Sequence, residues 1–201
     1  MTASEPVTNL EPVHDCDFQQ ASVIGGIEDI YDVGKLRVQV WQHEGVGHPP
    51  IFDTGRWLDR FDVQAHHFTI EDAQSLVASA RVSFHEKLDE VPDSKVYLEL
   101  APDVVLEPPV ASFNRLVVHE RARRRGIATV LFNARLNQAL SRGARSIVVY
   151  VAPNLVNTYQ ARGFQVLGKG YPFAVYHDPY WEQLPFTYMI ASIDNISRAY
   201  D

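Results

Sequence analysis

Hydrophobic and polar positions alternate most cleanly between residues 75 and 84. There, Leu76, Ala78, Ala80, Val82 and Phe84 interleave with Val77, Ser79, Arg81 and Ser83, the period of a β-strand. The apolar-rich "HHFTI" before it, separated by "EDAQ", completes a hairpin. Upstream, Ile27, Ile30, Tyr31, Val33, Leu36, Val38, Val40 and Trp41 follow helical spacing, imperfectly around Gly34, and predict a helix over 27–45. "GVGHPPIFDTGRWLDRFD" is dense in Gly, Pro and Asp and predicts a loop, whereas residues 86–110, with four prolines and many acids, predict loop with a short strand at "VYLEL".

The second half has the sharper pattern. "ASFNRLVV" predicts a strand, and "SIVVYV" another. Between them, Ile127, Val130, Leu131 and Ala134 fall at i, i+3, i+4 and i+7 of a helix from Ile127 to Arg142 that Gly143 closes. Strand, helix and strand with short links imply a parallel pair joined by a crossover. A short helix from about Asn154 to Arg162, ended by Gly163, and the strands "FQVLG" and "PFTYMIASI" complete the pattern. Residues 1–22 have no period and predict an irregular arm, leaving 23–201 for one domain.

Composition narrows the function classes. The chain has 201 residues, 46% hydrophobic and 21% charged, which is ordinary for a globular core, and its net charge of −7 argues against a general polyanion binder. Cys16 is the single cysteine and cannot form an intramolecular disulfide, so an inert thiol in the arm is expected. No basic and apolar leader opens the chain and no apolar run reaches the length of a membrane span, so a soluble, cytoplasmic protein is expected. The eight histidines match no zinc spacing, so no metal is expected.

Against that acidic background, "VVHERARRRGIATVLF" concentrates arginines around one glycine where a strand bends into a helix. Such a bend binds anions: glycine lets the backbone approach a ligand, and the first helical N–H groups point outward at the positive end of the dipole. Arg123, Arg124 and Arg125 add guanidinium forks suited to phosphate oxygens. The stretch is neither a Walker loop nor a dinucleotide GxGxxG.

Arg123-x-x-Gly126-x-Ala128 resembles the pyrophosphate loop of the GNAT acetyltransferase superfamily, Gln/Arg-x-x-Gly-x-Gly/Ala, and "NLVNTYQARGF" resembles its later Asn-x-x-x-x-Tyr-x-x-x-Gly-Phe region. "LRVQVWQHE" is similar to the opening of one subgroup, so the likeness runs from about Ile27 to Ile190 and is strongest from Phe113 to Phe164. Two departures stand out: Ala128 replaces the commoner glycine, and Phe186 stands where that subgroup has a histidine.

The resemblance implies an α/β fold of the GNAT type, a mixed and mostly antiparallel sheet splayed at its parallel pair. It also implies an N-acetyltransferase that moves an acetyl or other acyl group from acetyl-CoA to a small-molecule amine or amino-acid-like acceptor by direct attack. By the same resemblance, Leu116, Val117 and Val118 pair with the pantetheine arm and the Val118 N–H polarises the thioester carbonyl. The segment Arg124, Arg125, Gly126, Ile127, Ala128 and Thr129 holds the pyrophosphate with Arg123, and Asn157 is a further cofactor contact, with Asn154 a helix cap. Tyr159 is the general acid for the leaving sulfur: a phenol of pKa ~10 can donate to a thiolate whose acid has pKa ~8.5 as charge develops. The alternative is a core aromatic.

On the substrate side the candidates are Arg37, Glu44, His67, Arg81 and Arg115. Arginines 81 and 115 fall inside strands that should be buried, so each needs a partner; ion pairs with Glu44, Asp59 or Asp62 and recognition of a substrate carboxylate are both open. The base is also open, because "SIVVYV" has no acid and His119, Glu120, His67 and Glu44 are not separable by sequence. Two rivals keep other roles for the arginines: an RNA- or phosphate-binding module, and a coenzyme A sensor without catalysis. A monomer and a homodimer fit equally well.

Overall fold

The computed structural model describes residues 22–24, 27–45, 52–172 and 185–200. The arm with Cys16 and residues 46–51 of the predicted loop lie outside them.

Among the described residues, seven strands form one sheet: β1 (Ser22–Ile24), β2 (His66–Glu71), β3 (Leu76–His85), β4 (Val110–Val118), β5 (Ser146–Val151), β6 (Gln165–Gly170) and β7 (Phe186–Ser192). The helices are α1 (Ile27–His43), α2 (Ser94–Leu100), α3 (Ile127–Ser141), α4 (Val156–Gln160) and α5 (Ile193–Tyr200). The strand order is β1-β2-β3-β4-β5-β7-β6, and β4–β5 is the parallel pair in an otherwise antiparallel sheet. This is the mixed α/β architecture that the resemblance implied, with the parallel pair where the strand–helix–strand pattern put it.

Both faces of the sheet are covered, which explains why the central strands depart from half-buried alternation. Ile147, Val149 and Val151 join Leu131, Phe132 and Leu136 of α3 in one core, while Val148 joins Tyr97 of α2 and Tyr188 of β7 in another. Leu36 and Val40 of α1 pack on Val117. Seven consecutive residues of β3, from Val77 to Ser83, are buried. Each large apolar side chain so enclosed contributes about 1.5–3 kcal/mol.

Three local expectations change. "VYLEL" belongs to a helix, α2, because Val96, Tyr97 and Leu100 fall on one helical face and Tyr97 seats its ring edge-on against Tyr188 at 4.8 Å. Ser22, assigned to the irregular arm, begins β1, which pairs with β2. The chain also ends in an additional helix, α5, whose Ile196 is buried in the α3-side core.

Two irregularities open the sheet at its centre. The parallel register of β4 and β5 covers only Val110–Phe113 against Ser146–Val149; both strands run on beyond it unpaired to each other. In β4, Arg115 and Leu116 together oppose Ala80, a β-bulge with Arg115 at φ +55°. The bulge turns β4 just past the last β5 pair, and a cleft forms in the gap.

Candidate active site

The cleft has a volume of about 740 Å³. Its walls come from the divergent ends of β4 and β5, the bend before α3, the start of α4, and the C-terminal half of α1.

One wall is backbone. The amide of His119 donates to the Val77 carbonyl at 2.8 Å, so the neighbouring Ala78–Val118 pair is of the non-hydrogen-bonded kind. The N–H and C=O of Val118 therefore turn away from β3, towards the gap that β5 has vacated. Past a single 3₁₀ turn at Glu120–Ala122, the chain enters α3 through Arg124 at φ +62° and Gly126 at φ +76°. No side chain caps α3; the amides of Thr129 and Val130 turn back to the Gly126 carbonyl, and those of Ile127 and Ala128 precede the first helical bond. Leu116, Val117, Val118, Arg123, Arg124, Gly126, Ile127, Ala128 and Thr129 all line the cleft.

Arg125 and Asn157 are exposed and lie outside that lining. One helical turn separates Asn157 from Asn154, which does line it from the turn at Pro153–Leu155. Asn154 is not a cap: Leu155 precedes α4 and Ala152 precedes the turn.

Tyr159 lines the cleft from beneath and is buried in the α3-side core, edge-on to Phe132 at 5.5 Å and Phe164 at 5.2 Å. Its hydroxyl accepts a bond of 3.4 Å from Nη2 of Arg135. Arg135 is wholly buried on α3, four residues after Leu131, with its guanidinium 4.8 Å from the Phe113 ring and no carboxylate partner among the described contacts. Burial pulls its pKa down, opposed by the Tyr159 oxygen.

The opposite wall rests on a buried charge network. Asp62 accepts from Nη1 of Arg37 at 2.9 Å and Nη1 of Arg81 at 2.7 Å. Asp59 accepts from Arg81 at 2.6 Å and from Nη2 of Arg115 at 2.5 Å. Burial alone would raise both carboxyls, but Arg115 and Arg81 hold Asp59, and Arg37 and Arg81 hold Asp62, well below the usual carboxylate range. Among the described residues, three guanidiniums thus share two carboxylates. Burial, against the pull of Asp62, lowers Arg37 to about 10, so it remains a cation at neutral pH. His67 donates from Nε2 to the Asp62 carbonyl at 2.8 Å, and burial pulls its pKa down.

Of the substrate-side candidates, Arg37, Glu44 and Arg115 line the cleft; Arg81 and His67 stand behind it, fully buried, as structural partners of the two aspartates. Glu44 does not join the network but pairs with Arg123 across the mouth. Trp41, Trp57, Tyr150 and Phe186 complete the apolar lining, with Arg115 stacked 4.2 Å over Trp57 and Phe186 edge-on to Tyr150 at 5.6 Å. None of these four was a sequence candidate, because aromatic residues in a helix, a loop and two strands show no common pattern until the fold gathers them. Arg135 did carry a signal: it is an arginine on the apolar i, i+4, i+8 face of a helix.

Residues 32–179 match the profile of the family described as "FeeM: N-acyl amino acid synthase FeeM". The chain belongs to the FeeM family. Membership makes it an acyltransferase, and its fold is of the GNAT type. No curated protein matches the sequence. Among solved structures, FeeM itself, an N-acyl amino acid synthase from uncultured soil microbes, superposes with TM-score 0.64 at 13% identity, covering 89% of this chain and 93% of FeeM. BjaI, a CoA-dependent acyl-homoserine lactone synthase solved with SAM and isopentyl-CoA, gives 0.61 at 16%, covering 87% and 82%. Escherichia coli ElaA gives 0.55 at 19%, covering 83% and 91%. At such identities these three likenesses establish the fold. Among the described residues no group of His, Cys, Asp and Glu could hold a metal ion, and no helix is long and apolar enough to cross a membrane.

Proposed function

We propose that this member of the FeeM family transfers an acyl group, acetyl or longer, from coenzyme A to the amine of an amino-acid-like acceptor. The observation that carries the reading is the meeting of three elements around one cleft: uncapped amides at an arginine-rich helix start, a backbone N–H turned into the strand gap, and the Tyr159 hydroxyl.

The chemistry needs each of them. Coenzyme A brings a diphosphate, which the amides of Ile127 and Ala128 and the positive end of α3 attract, with Arg123 and Arg124 beside them. Its amide-bearing arm is suited to hydrogen bonds with the unpaired edge of β4. The Val118 N–H is oriented for the oxygen of a thioester, where negative charge grows as the amine attacks. Tyr159 then serves as the acid for the departing sulfur. On the acceptor side, Arg37 borders the cleft but is itself fully buried, with Nε and Nη2 unpartnered among the described residues. A carboxylate that reached this wall would satisfy that fork, which favours an α-amino acid over a simple amine.

The test combines binding and turnover. Coenzyme A at ~100 times its dissociation constant should stabilise the fold by about 2.7 kcal/mol. Acyl-CoA thioesters of increasing length, mixed with a panel of amino acids and amines, should release coenzyme A only with an acceptor, with the N-acyl product found by mass. A flat melting curve together with acceptor-independent thiol release overturns the reading. Binding without turnover on any acceptor would leave a coenzyme A sensor, and RNA affinity that coenzyme A does not displace would leave a nucleic-acid module.

A further inference from the structure

Proton removal from the acceptor is the step that the geometry above does not supply. Among the described residues, Glu44 is the one carboxylate in the cleft lining, and no histidine is there. Asp59 and Asp62 lie behind the wall, each neutralised by two guanidiniums. Tyr150 lines the cleft, but burial pushes its phenol up, so at neutral pH it stays protonated and cannot accept.

Glu44 directly follows α1, and its Oε1 meets Nη2 of Arg123 at 2.5 Å. The same guanidinium donates from Nε to the Val118 carbonyl at 3.0 Å. One planar group therefore spans the carboxylate and the backbone of the residue whose N–H faces the cleft. Glu44 is thereby joined through one guanidinium to the residue whose N–H is oriented towards the gap. Both side chains are partly open to solvent, 42% for Glu44 and 39% for Arg123, so the pair can separate without unfolding anything around it. Arg123 also begins the Arg-x-x-Gly bend, where a diphosphate competes with Glu44 for the guanidinium.

Resting on the acyl-transfer reading above, we propose that Glu44 is the catalytic base and that Arg123 masks it until the cofactor binds. The diphosphate of acyl-CoA draws Arg123 away, and the freed carboxylate takes one proton from the acceptor ammonium. The nitrogen lone pair forms the C–N bond while the carbonyl π electrons move to oxygen, held by the Val118 N–H. On collapse the C–S bond breaks, sulfur leaves with the electron pair and takes the Tyr159 proton, and the second proton on nitrogen returns to the Tyr159 oxygen. Glu44 sheds its proton to water, and amide and coenzyme A leave.

The decisive variant is Glu44→Gln, nearly isosteric and at a partly exposed site, with its melting point checked against the parent. General base catalysis is worth roughly 10²–10⁴-fold, so kcat/KM at neutral pH should fall in that range. Coenzyme A should bind the variant as tightly as the parent or more tightly, because Arg123 has lost its competitor. The variant's rate should climb about tenfold per pH unit until the acceptor amine's own pKa, since deprotonation in solution then replaces the missing base. Activity within threefold of the parent, a loss that is the same at every pH, or a loss matched by weaker coenzyme A binding each overturns the assignment. A parent enzyme that releases coenzyme A with no amine in the panel overturns the acyl-transfer reading itself, whereas an active parent beside an equally active variant overturns the base alone.

Discussion

Tyr159 carries two roles in one side chain. Its ring belongs to the core with Phe132 and Phe164, and its hydroxyl, at the cleft floor, is an acceptor for the buried Arg135. Tyr159→Phe keeps the ring but removes that acceptor from a guanidinium whose Nη1 already has no partner among the described residues, so stability should drop by about 1 kcal/mol in urea unfolding. The larger effect should be on turnover. If the hydroxyl protonates the sulfur, kcat falls by roughly 10²–10⁴-fold with the Michaelis constant for acyl-CoA nearly unchanged. A residual rate within about threefold of the parent, under conditions where chemistry limits turnover, would remove the acid role and leave the core role standing. At this scale the spacing Tyr159 to Gly163 was legible in the sequence, and Arg135 stood out on an apolar helix face, but their pairing was not legible, because a partnership 24 residues apart exists only when α3 and α4 meet. Likewise, Asp59 and Asp62 could be named as partners for Arg81 and Arg115, while the choice between them and a substrate carboxylate was made by burial.

The elements that shape the cleft depend on a few backbone positions. Gly163 ends α4 at φ +88°, and a Cβ there would lie 2.6 Å from the Asn195 carbonyl oxygen of α5. Gly143, which ends α3 at φ +69°, would meet nothing within 4 Å. Both Ala variants incur the left-handed backbone cost of about 1–3 kcal/mol, and Gly163→Ala must also push α5 away. The expected order in parallel urea melts is therefore Gly163→Ala clearly less stable than Gly143→Ala; equal midpoints would contradict the α4–α5 packing. Helix α3 and strand β3 followed from period, and strands β4 and β5 from their apolar, β-branched runs. Helix α2 did not, because five residues reading V-Y-L-E-L satisfy strand alternation and a helical face equally, and the seat for Tyr97 is made by β7, nearly a hundred residues later. The bulge at Arg115 was also invisible, since nothing in "FNRLVV" distinguishes a regular strand from one with an arginine at positive φ.

Over the whole molecule, the buried charges predict how stability follows pH. His67 is held below its ordinary value by burial, so the unfolded chain binds its proton more readily, and stability present above pH ~6.5 is lost as pH falls from there. Asp59 and Asp62 are depressed by their arginines; their contribution is complete above pH ~4 and is lost as pH falls below it. Urea unfolding at pH 8, 6, 4.5 and 3 should therefore show a shallow decline below neutrality and a steep one below ~4. Equal stability at pH 7 and pH 3 would rule out the three-arginine, two-aspartate network as drawn. What the sequence by itself determined is whatever depends on near neighbours: the apolar runs of the central strands and the period of α3, the short links that impose a parallel crossover, and the glycine bend with its arginines, all of which are set by backbone sterics and burial along short stretches of chain. Tertiary structure alone decided the cleft. The splay after Phe113 and Val149, the enclosure of Arg37, Arg81 and Arg115 with two aspartates from a loop, and the pairing of Glu44 with Arg123 join residues far apart in the chain. Charges of opposite sign choose partners by distance and desolvation, and neither quantity exists until the chain has folded.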